Sequence, residues 1–219
     1  MSTDNHHPAA PPGLPRVLHR DQWLVVLSKP VPMLSVPGIG PKKADCLVSR
    51  AAEAFPGARI VHRLDRDTSG VIVLARDADT HRALSLQFQD RLVDKQYEAI
   101  VAGQPIAAKG FIDAPIRKDL DNPPRQCVDQ VQGKPSQTAW HIMGPFGDHT
   151  RLGLSPRTGR SHQLRLHLQH IGHPILGDDL YAPRDVVAMA PRLCLHATEL
   201  SFTHPATQER LTLQDPAPF

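Results

Sequence analysis

Short alternations of apolar and polar residues recur along the chain and predict a protein rich in β-strands. Residues 94–103 alternate most regularly, with Tyr97, Ala99 and Val101 on one side, as expected for a strand whose two faces meet different surroundings. Trp23 to Leu27 is a short apolar run that also predicts a strand, ended by Lys29-Pro30. Further strands are predicted at 60–61, 71–74, 110–116, 136–143, 149–154, 193–202 and 209–214.

Three segments have the spacing of amphipathic helices. Residues 42–55 place apolar side chains on one helical face. Asp77 is a suitable N-cap for a second helix that runs to about Leu92. A third helix is predicted from Ser161 to Ile171, followed by Gly172 as its C′ residue. Because strands predominate and the helices do not alternate with them, we predict an α+β fold with a mixed, mostly antiparallel sheet and flanking helices.

Composition sets the limits of the domain. The chain has 219 residues, 40% of them hydrophobic, which suffices for one substantial core. Residues 1–15 contain four prolines without periodicity, so we predict a disordered Pro-rich tail and a single domain at 16–214. The last residues, QDPAPF, have a similar composition and are expected to be disordered too.

The charge and the cysteine content indicate which partners and which cellular compartment suit the protein. A net charge of +3 permits a polyanionic partner without requiring one. Three cysteines lie far apart and cannot all pair, which favours reduced thiols and the cytoplasm. Neither a signal peptide nor an apolar run long enough for a membrane helix is evident.

The segment HRLDRDTSG, residues 62–70, places unusual charge between two apolar strands. Asp65 and Asp67 suit a tight turn, where aspartates often bond backbone N–H groups. Neighbouring arginines favour a second interpretation, since a carboxylate held ionised beside cations can act as a nucleophile or electrostatic stabiliser.

Residues 155–178 form the most basic stretch of the chain. From Arg157 to His173 it has three arginines, four histidines and no acid. A cationic stripe at a helix N-terminus suits phosphate oxygens, although a solvated basic face would look the same. The histidines lie five, three and three residues apart without a nearby carboxylate, so the spacing disfavours a zinc site.

Other motifs are missing. The chain has no G-x-x-x-x-G-K-[ST] phosphate loop, no dinucleotide fingerprint and no G-x-S-x-G elbow.

Tyr97, on its alternating strand, is by pattern alone most typical of a packing residue.

Four motifs together resemble the RluA family of pseudouridine synthases. They are KP…SVPG (29–38), HRLDRDTSG (62–70), K-x-Y-x-A-x-V-x-G (95–103) and RTGRSHQLRLHL with GHPILGDDLY (157–181), in the order of the family. Pro32 and Ala182 replace glycines common in the family, and Pro32 should stiffen its loop. The resemblance implies one catalytic domain with a central active-site cleft and no S4 domain. The short N-terminus most resembles members that act on both rRNA and tRNA.

The resemblance also implies roles for single residues. Asp65 would be the catalytic carboxylate in converting uridine to pseudouridine, Tyr97 would stack on the base and could accept a proton, and Arg165 would pair with Asp65. Arg63 would fill the space left by a flipped base. The remaining RNA contacts would come from basic side chains: His62, Arg66, Arg157, Arg160 and His162. Asp67 is expected to be structural, and Thr68, Ser69 and Gly70 to shape the turn. The implied partner is 23S rRNA, a tRNA anticodon stem-loop or both, bound by a monomer without metal or organic cofactor.

Three other functions compete with this one. A catalytically silent RNA-binding module would keep the basic surface but lack Asp65, Tyr97 or Arg165, which are all present. A metal-dependent hydrolase would need a better histidine spacing. A nuclease would cut the RNA instead of isomerising it.

Overall fold

The structure is a computed structural model that describes residues 13–38, 40 and 44–219. Of the predicted tail at 1–15, residues 1–12 therefore lie outside the described residues. The described strands are β1 (Val17–Arg20), β2 (Leu24–Lys29), β3 (Arg59–Ile60), β4 (Ser69–Ala75), β5 (Asp94–Val101), β6 (Lys109–Asp113), β7 (Ile116–Lys118), β8 (Gln126–Val128), β9 (Gln137–Phe146), β10 (His149–Pro156), β11 (Leu195–Thr203) and β12 (Arg210–Gln214). The described helices are α1 (Leu47–Ala54), α2 (Ala78–Gln89), α3 (Gln163–His170) and α4 (Arg184–Ala188).

Ten strands form one sheet in the order β1-β2-β4-β11-β5-β10-β9-β6, with β12 beside β11 and β3 beside β4. Among the described pairings only β4 and β11 run parallel. β7 and β8 form a separate two-stranded sheet. The predicted α+β fold with a mixed, mostly antiparallel sheet is confirmed.

Strand β4 shows why its sequence is apolar throughout. All seven of its residues are buried, and alternate side chains enter two different clusters. Ile72 packs with Phe55 beside α1, whereas Val73 packs with Leu84 of α2. A strand covered on both faces needs a continuous apolar run instead of an alternation. Burying a side chain such as Leu84 stabilises the fold by about 2 kcal/mol.

The helix predictions were right in kind and less accurate at the ends. The Asp77 cap is confirmed, since its side chain accepts a 2.8 Å hydrogen bond from the Thr80 backbone N–H. Helix α2 ends at Gln89, and the left-handed backbone of Arg91 follows, so the predicted end at Leu92 is wrong. Helix α1 begins at Leu47; residues 42 and 43 of the predicted helix lie outside the described residues.

Several further elements differ from prediction. The strand expected at 110–116 is divided between β6 and β7, because Pro115 lies between them and lacks a ladder N–H. Strand β1 and helix α4 were not predicted.

The C-terminal segment is packed, so the prediction that QDPAPF is disordered is wrong. Asp215 is buried, forms an ion pair with Arg16, and has a carboxylate oxygen 3.5 Å from His196 Nε2. The Phe219 carbonyl accepts a 2.6 Å hydrogen bond from Arg151 Nη2. These polar contacts hold the C-terminal segment against the domain, although its composition alone favours disorder. No helix in the described part of the chain is long and apolar enough to cross a bilayer.

Candidate active site

Asp65 lies in the turn between β3 and β4. The turn is closed by a 3.1 Å hydrogen bond from the Thr68 N–H to the Asp65 carbonyl. Leu64 is buried, and its backbone N–H and C=O both bond Ser35 Oγ, at 3.1 and 2.7 Å. With Leu64 anchored in the core, the half-buried Asp65 side chain lines a cavity on the other side.

Lys29 fixes the far side of the same turn. Its side chain is fully buried, and Nζ donates to the carbonyls of Pro30, Met33 and Arg66 at 3.1, 2.8 and 3.1 Å. A protonated amine has three hydrogens, so these three acceptors satisfy it completely. Burial lowers the pKa of Lys29 to about 7.

A buried network holds the end of the turn where β4 begins. Arg192 Nη2 donates to Ser69 Oγ at 2.6 Å, and Ser69 Oγ lies 2.7 Å from His196 Nδ1. His196 Nε2 in turn donates to the Asp215 carbonyl at 2.9 Å. Because Ser69 and His196 are only 4% and 3% exposed, this Ser–His–Asp arrangement anchors the turn and is closed to substrate.

Gly70 completes this junction for a steric reason. Its φ is +115°, and a Cβ there would lie 2.2 Å from the Ala197 carbonyl oxygen. A larger residue would push β4 away from β11 at the point where the turn enters the sheet. The expectation that Thr68, Ser69 and Gly70 shape the turn agrees with these contacts.

The cavity beside Asp65 measures about 110 Å³. Its lining brings together the turn, strand β5, the loop 156–161 and helix α3. Five lining residues carry formal charge, and Asp65 is the only acid among them; the cations are Arg63, Lys95, Arg160 and Arg165. Motifs far apart in the sequence therefore converge on one carboxylate.

Tyr97 forms part of the cavity wall from β5. Burial, with the nearby Asp65 carboxylate adding to it, raises the pKa of the Tyr97 phenol above its usual value. The phenol therefore stays protonated at neutral pH, which favours a stacking role over that of a phenolate base.

Arg165 does not pair with Asp65 in this structure, contrary to expectation. Its Nε and Nη2 atoms donate to the two carboxylate oxygens of Asp178 at 2.9 and 2.5 Å, and Nη2 also reaches Asp179 at 3.0 Å. Burial opposes the charge, but the bonds to Asp178 outweigh it and raise the pKa of Arg165. The planar guanidinium fits two oxygens of one carboxylate best, and Asp178 in the turn after α3 supplies both. Arg165 still lines the Asp65 cavity.

Tyr181 links α3 to the β7–β8 hairpin. Its hydroxyl accepts a 2.8 Å hydrogen bond from the Gln126 N–H and lies 2.8 Å from His162 Nδ1. The guanidiniums of Arg125 and Arg165 each lie 5.4 Å from its ring centroid. Burial lowers the pKa of His162, so the neutral ring accepts the Tyr181 proton. The hairpin is thereby attached directly to the cavity wall.

Comparison with known proteins shows to which family the chain with this cavity belongs. A family model described as RNA pseudouridylate synthase matches residues 23–170, more than half of the chain. The chain belongs to this family. It is 45% identical to the dual-specificity RNA pseudouridine synthase RluA of Escherichia coli O6:H1, and 42% identical to the protein of the same name from Pasteurella multocida, with 100% of each chain covered. Human RNA Pseudouridylate Synthase Domain Containing 1 has a similar structure, with a TM-score of 0.78, 29% identity, and coverage of 97% of this chain and 87% of the human one.

The arginines expected to contact RNA lie at the surface of the synthase. Arg63, Arg66, Arg157 and Arg160 are all exposed, and Arg63 and Arg160 border the cavity itself. Arg66 pairs with Asp67 at 3.0 Å, in line with a structural Asp67. These positions are compatible with phosphate contacts, which remain a prediction.

His62 has a different environment from these arginines. Its ring stacks on Phe88 with centroids 4.5 Å apart, and Nε2 accepts the Val73 N–H at 3.2 Å. Burial, with a smaller effect from Lys95, lowers the pKa of His62 to about 3. An uncharged ring used by the fold gives no support to the predicted RNA contact of His62.

Sequence reasoning missed three residues of the synthase site. Asp178 and Tyr181 belong to the GDDLY motif, but nothing in their spacing identifies Arg165 and His162 as their partners. Lys95 could have been found, because it lies two residues before Tyr97 on the same strand face. The described residues include no group of three or more His, Cys, Asp or Glu side chains suited to a metal. His167 instead bonds Thr138 and the Ala114 carbonyl.

Proposed function

We propose that the protein converts specific uridines of structured RNA into pseudouridine, with Asp65 as the catalytic carboxylate. The proposed substrates are 23S rRNA, a tRNA anticodon stem-loop or both. The observation that carries the proposal is the lone carboxylate of Asp65 in a cationic cavity walled by Tyr97, in a chain of this family. The dual specificity named for its relatives supports two classes of RNA substrate.

The isomerisation makes limited demands on the protein. The N1–C1′ bond of uridine breaks, the base rotates, and a C5–C1′ bond forms. The proton on C5 leaves and N1 gains one, so atoms and charge balance without an oxidant or a second substrate. One carboxylate can serve the anomeric carbon, whereas a glycosidase that releases its leaving group uses two.

The shape of the site requires the base to leave its stack. Asp65 is half-buried inside a cavity, which a base within a helix cannot enter. We infer that the target uridine is flipped out at a cost of about a few kcal/mol. Tyr97 then stacks on the base, Arg63 fills the vacated space, and the exposed Arg66, Arg157 and Arg160 hold the phosphates. His162 supports this surface through Tyr181 instead of contributing charge.

We further infer that the protein acts as a monomer in the cytoplasm. Cys46, Cys127 and Cys194 are all free thiols, as is usual in a reducing compartment.

The test is modification of unmodified total RNA by the purified protein, mapped by carbodiimide-block primer extension. Wild type should create new stops in large-subunit rRNA or a tRNA anticodon arm. Asp65→Asn should lower the rate at least about 1000-fold, since it removes the reacting group. Asp67→Asn is the matched control in the same turn and should keep most of the activity.

Other outcomes of this experiment would support a different function or a different catalytic residue. RNA binding without stops in any sample would indicate a silent RNA-binding module, and cut RNA would indicate a nuclease. Stops with both wild type and Asp65→Asn would remove Asp65 from the chemistry.

A further inference from the structure

Two lysines lie largely enclosed near Asp65, and their surroundings differ. Lys29 Nζ donates to three carbonyl oxygens and is fully used by the fold. For Lys95 the described residues provide neither a carboxylate within 4 Å nor a hydrogen-bond acceptor. Lys95 is partly buried and lines the cavity, so its amine is open to an acceptor that a ligand brings in.

The position of Lys95 indicates what it faces. Lys95 and Tyr97 are two residues apart on β5 and therefore project from the same face. Both line the cavity that contains Asp65. Lys95 Nζ lies 3.9 Å from where a Cβ on Gly159 would be, so the amine reaches the loop 156–161 on the facing wall.

The electrostatic surroundings leave the amine available to a ligand. Burial, assisted by the nearby Arg91, lowers the pKa of Lys95. Arg63, Arg160 and Arg165 line the same cavity, and Asp65, the one acid among the lining residues, is the proposed catalytic group. An oxygen acceptor brought in by the substrate would restore the hydrogen bonds that the fold does not provide.

We propose that Lys95 contacts the substrate directly, by donating hydrogen bonds from Nζ to an oxygen of the flipped target nucleotide. The acceptor is either a phosphate oxygen or a carbonyl oxygen of the uracil ring. Both accept hydrogen bonds from an ammonium group. They differ in the step of the reaction at which the oxygen carries negative charge. A phosphate carries its charge from first encounter, whereas uracil carbonyls gain negative charge as the N1–C1′ bond breaks. This inference rests on the proposed function.

The two sources can be separated by measuring binding and chemistry independently. Binding of an unmodified tRNA anticodon stem-loop is measured in the Asp65→Asn background, with and without Lys95→Met, across a range of salt concentrations. Single-turnover rates are measured with Asp65 intact on the same RNA at saturating enzyme. Lys109→Met, an exposed lysine on the outer strand β6 of the same sheet, is the matched control.

A phosphate contact predicts that Lys95→Met weakens binding about tenfold and reduces the salt dependence of log Kd by about 0.7–0.9. A uracil contact predicts an unchanged salt slope and a single-turnover rate lowered about tenfold or more. Lys95→Arg, which keeps the charge, should recover part of either loss. Lys109→Met should change neither quantity more than about twofold.

The proposal is overturned if Lys95→Met leaves Kd, salt slope and single-turnover rate within twofold of wild type. It is also overturned if Lys95→Met and Lys95→Arg lower the melting temperature equally and the folded protein retains full rate and affinity, since Lys95 would then serve only the fold. Inactive wild-type protein would instead refute the proposed function, so the two failures are distinct.

Discussion

Asp178 fixes the orientation of the Arg165 guanidinium at the wall of the Asp65 cavity. The two side chains are 0% and 2% exposed, and both donors on one edge of the guanidinium are engaged by the carboxylate. Asp178 Oδ1 also accepts the N–H groups of Leu180 and Tyr181 at 3.0 and 3.1 Å. The carboxylate thus orients Arg165 and holds the Tyr181 backbone beside it, and we infer that Asp178 is a positioning residue for the proposed reaction.

Replacing Asp178 by Asn should lower both stability and kcat. Breaking a buried ion pair costs about 3 kcal/mol, because Arg165 keeps its charge without its partner. We expect kcat to fall about tenfold or more while the Kd for RNA changes little, since Arg165 is buried away from the phosphate-binding surface. Kinetics below the melting temperature of the variant would separate the two effects.

Asp179→Asn is the natural control for this experiment. Asp179 also bonds Arg165, at 3.0 Å, but its side chain is 59% exposed. Exposed ion pairs contribute little, so kcat should change less than about threefold. Equal losses in the two variants, or a normal kcat for folded Asp178→Asn, would contradict a specific positioning role.

At the scale of elements, Lys29 is one of the side chains that join the loop after β2 to the turn that carries Asp65. Lys29 is the last residue of β2, and its amine bonds the loop carbonyls of Pro30 and Met33 as well as Arg66 in the turn. The Met33 N–H donates to the Arg66 carbonyl at 3.0 Å as well. The stiffness expected from Pro32 thus acts in a loop already tied to the turn.

Lys29→Met should release this attachment. The carbonyls of Pro30 and Met33 would lose this donor and the Arg66 carbonyl would keep only the Met33 N–H, which we expect to cost about 3 kcal/mol of unfolding free energy. Because the turn then loses one support beside Asp65, kcat should fall by about tenfold in protein that is still folded. Chemical denaturation and single-turnover kinetics measure the two effects, with Lys109→Met as the exposed-lysine control. A destabilised variant with normal kcat would show that the turn holds its geometry without Lys29.

The elements also show where sequence reasoning succeeds. Strand β5 and the cap of α2 were predicted because local periodicity and one capping side chain suffice. The hairpin β7–β8 and the partner of Arg165 were not, because each depends on residues far apart in sequence. Gln126 meets Tyr181 across 55 positions, and the choice of Asp178 over Asp65 is made by the backbone path after α3. Asp65, Tyr97 and Lys95 all lie in family motifs, but only the cavity shows that Lys95 lines the same site as Asp65.

At the scale of the whole molecule, buried and partly buried histidines couple stability to pH. Burial lowers the pKa of His62 to about 3 and also lowers the pKa values of His162 and His167. These residues lie in the turn before β4 and in or beside α3, so the effect is distributed over both sides of the active site. In the unfolded chain a histidine takes up a proton near pH 6.5. Between pH 6.5 and about 3 the unfolded state therefore binds more protons than the folded state, and stability rises with pH over this window.

His62→Gln should flatten this dependence. Glutamine can still accept the Val73 N–H but does not titrate, so the variant should lose less stability than wild type between pH 6.5 and 4. One proton corresponds to at most about 1.4 kcal/mol per pH unit, which bounds the difference in slope. Urea denaturation at several pH values measures it, and His170→Gln, exposed on α3, serves as the comparison. Parallel pH curves for wild type and His62→Gln would mean that His62 titrates alike in both states, and that the acid sensitivity of the fold arises at His162 and His167.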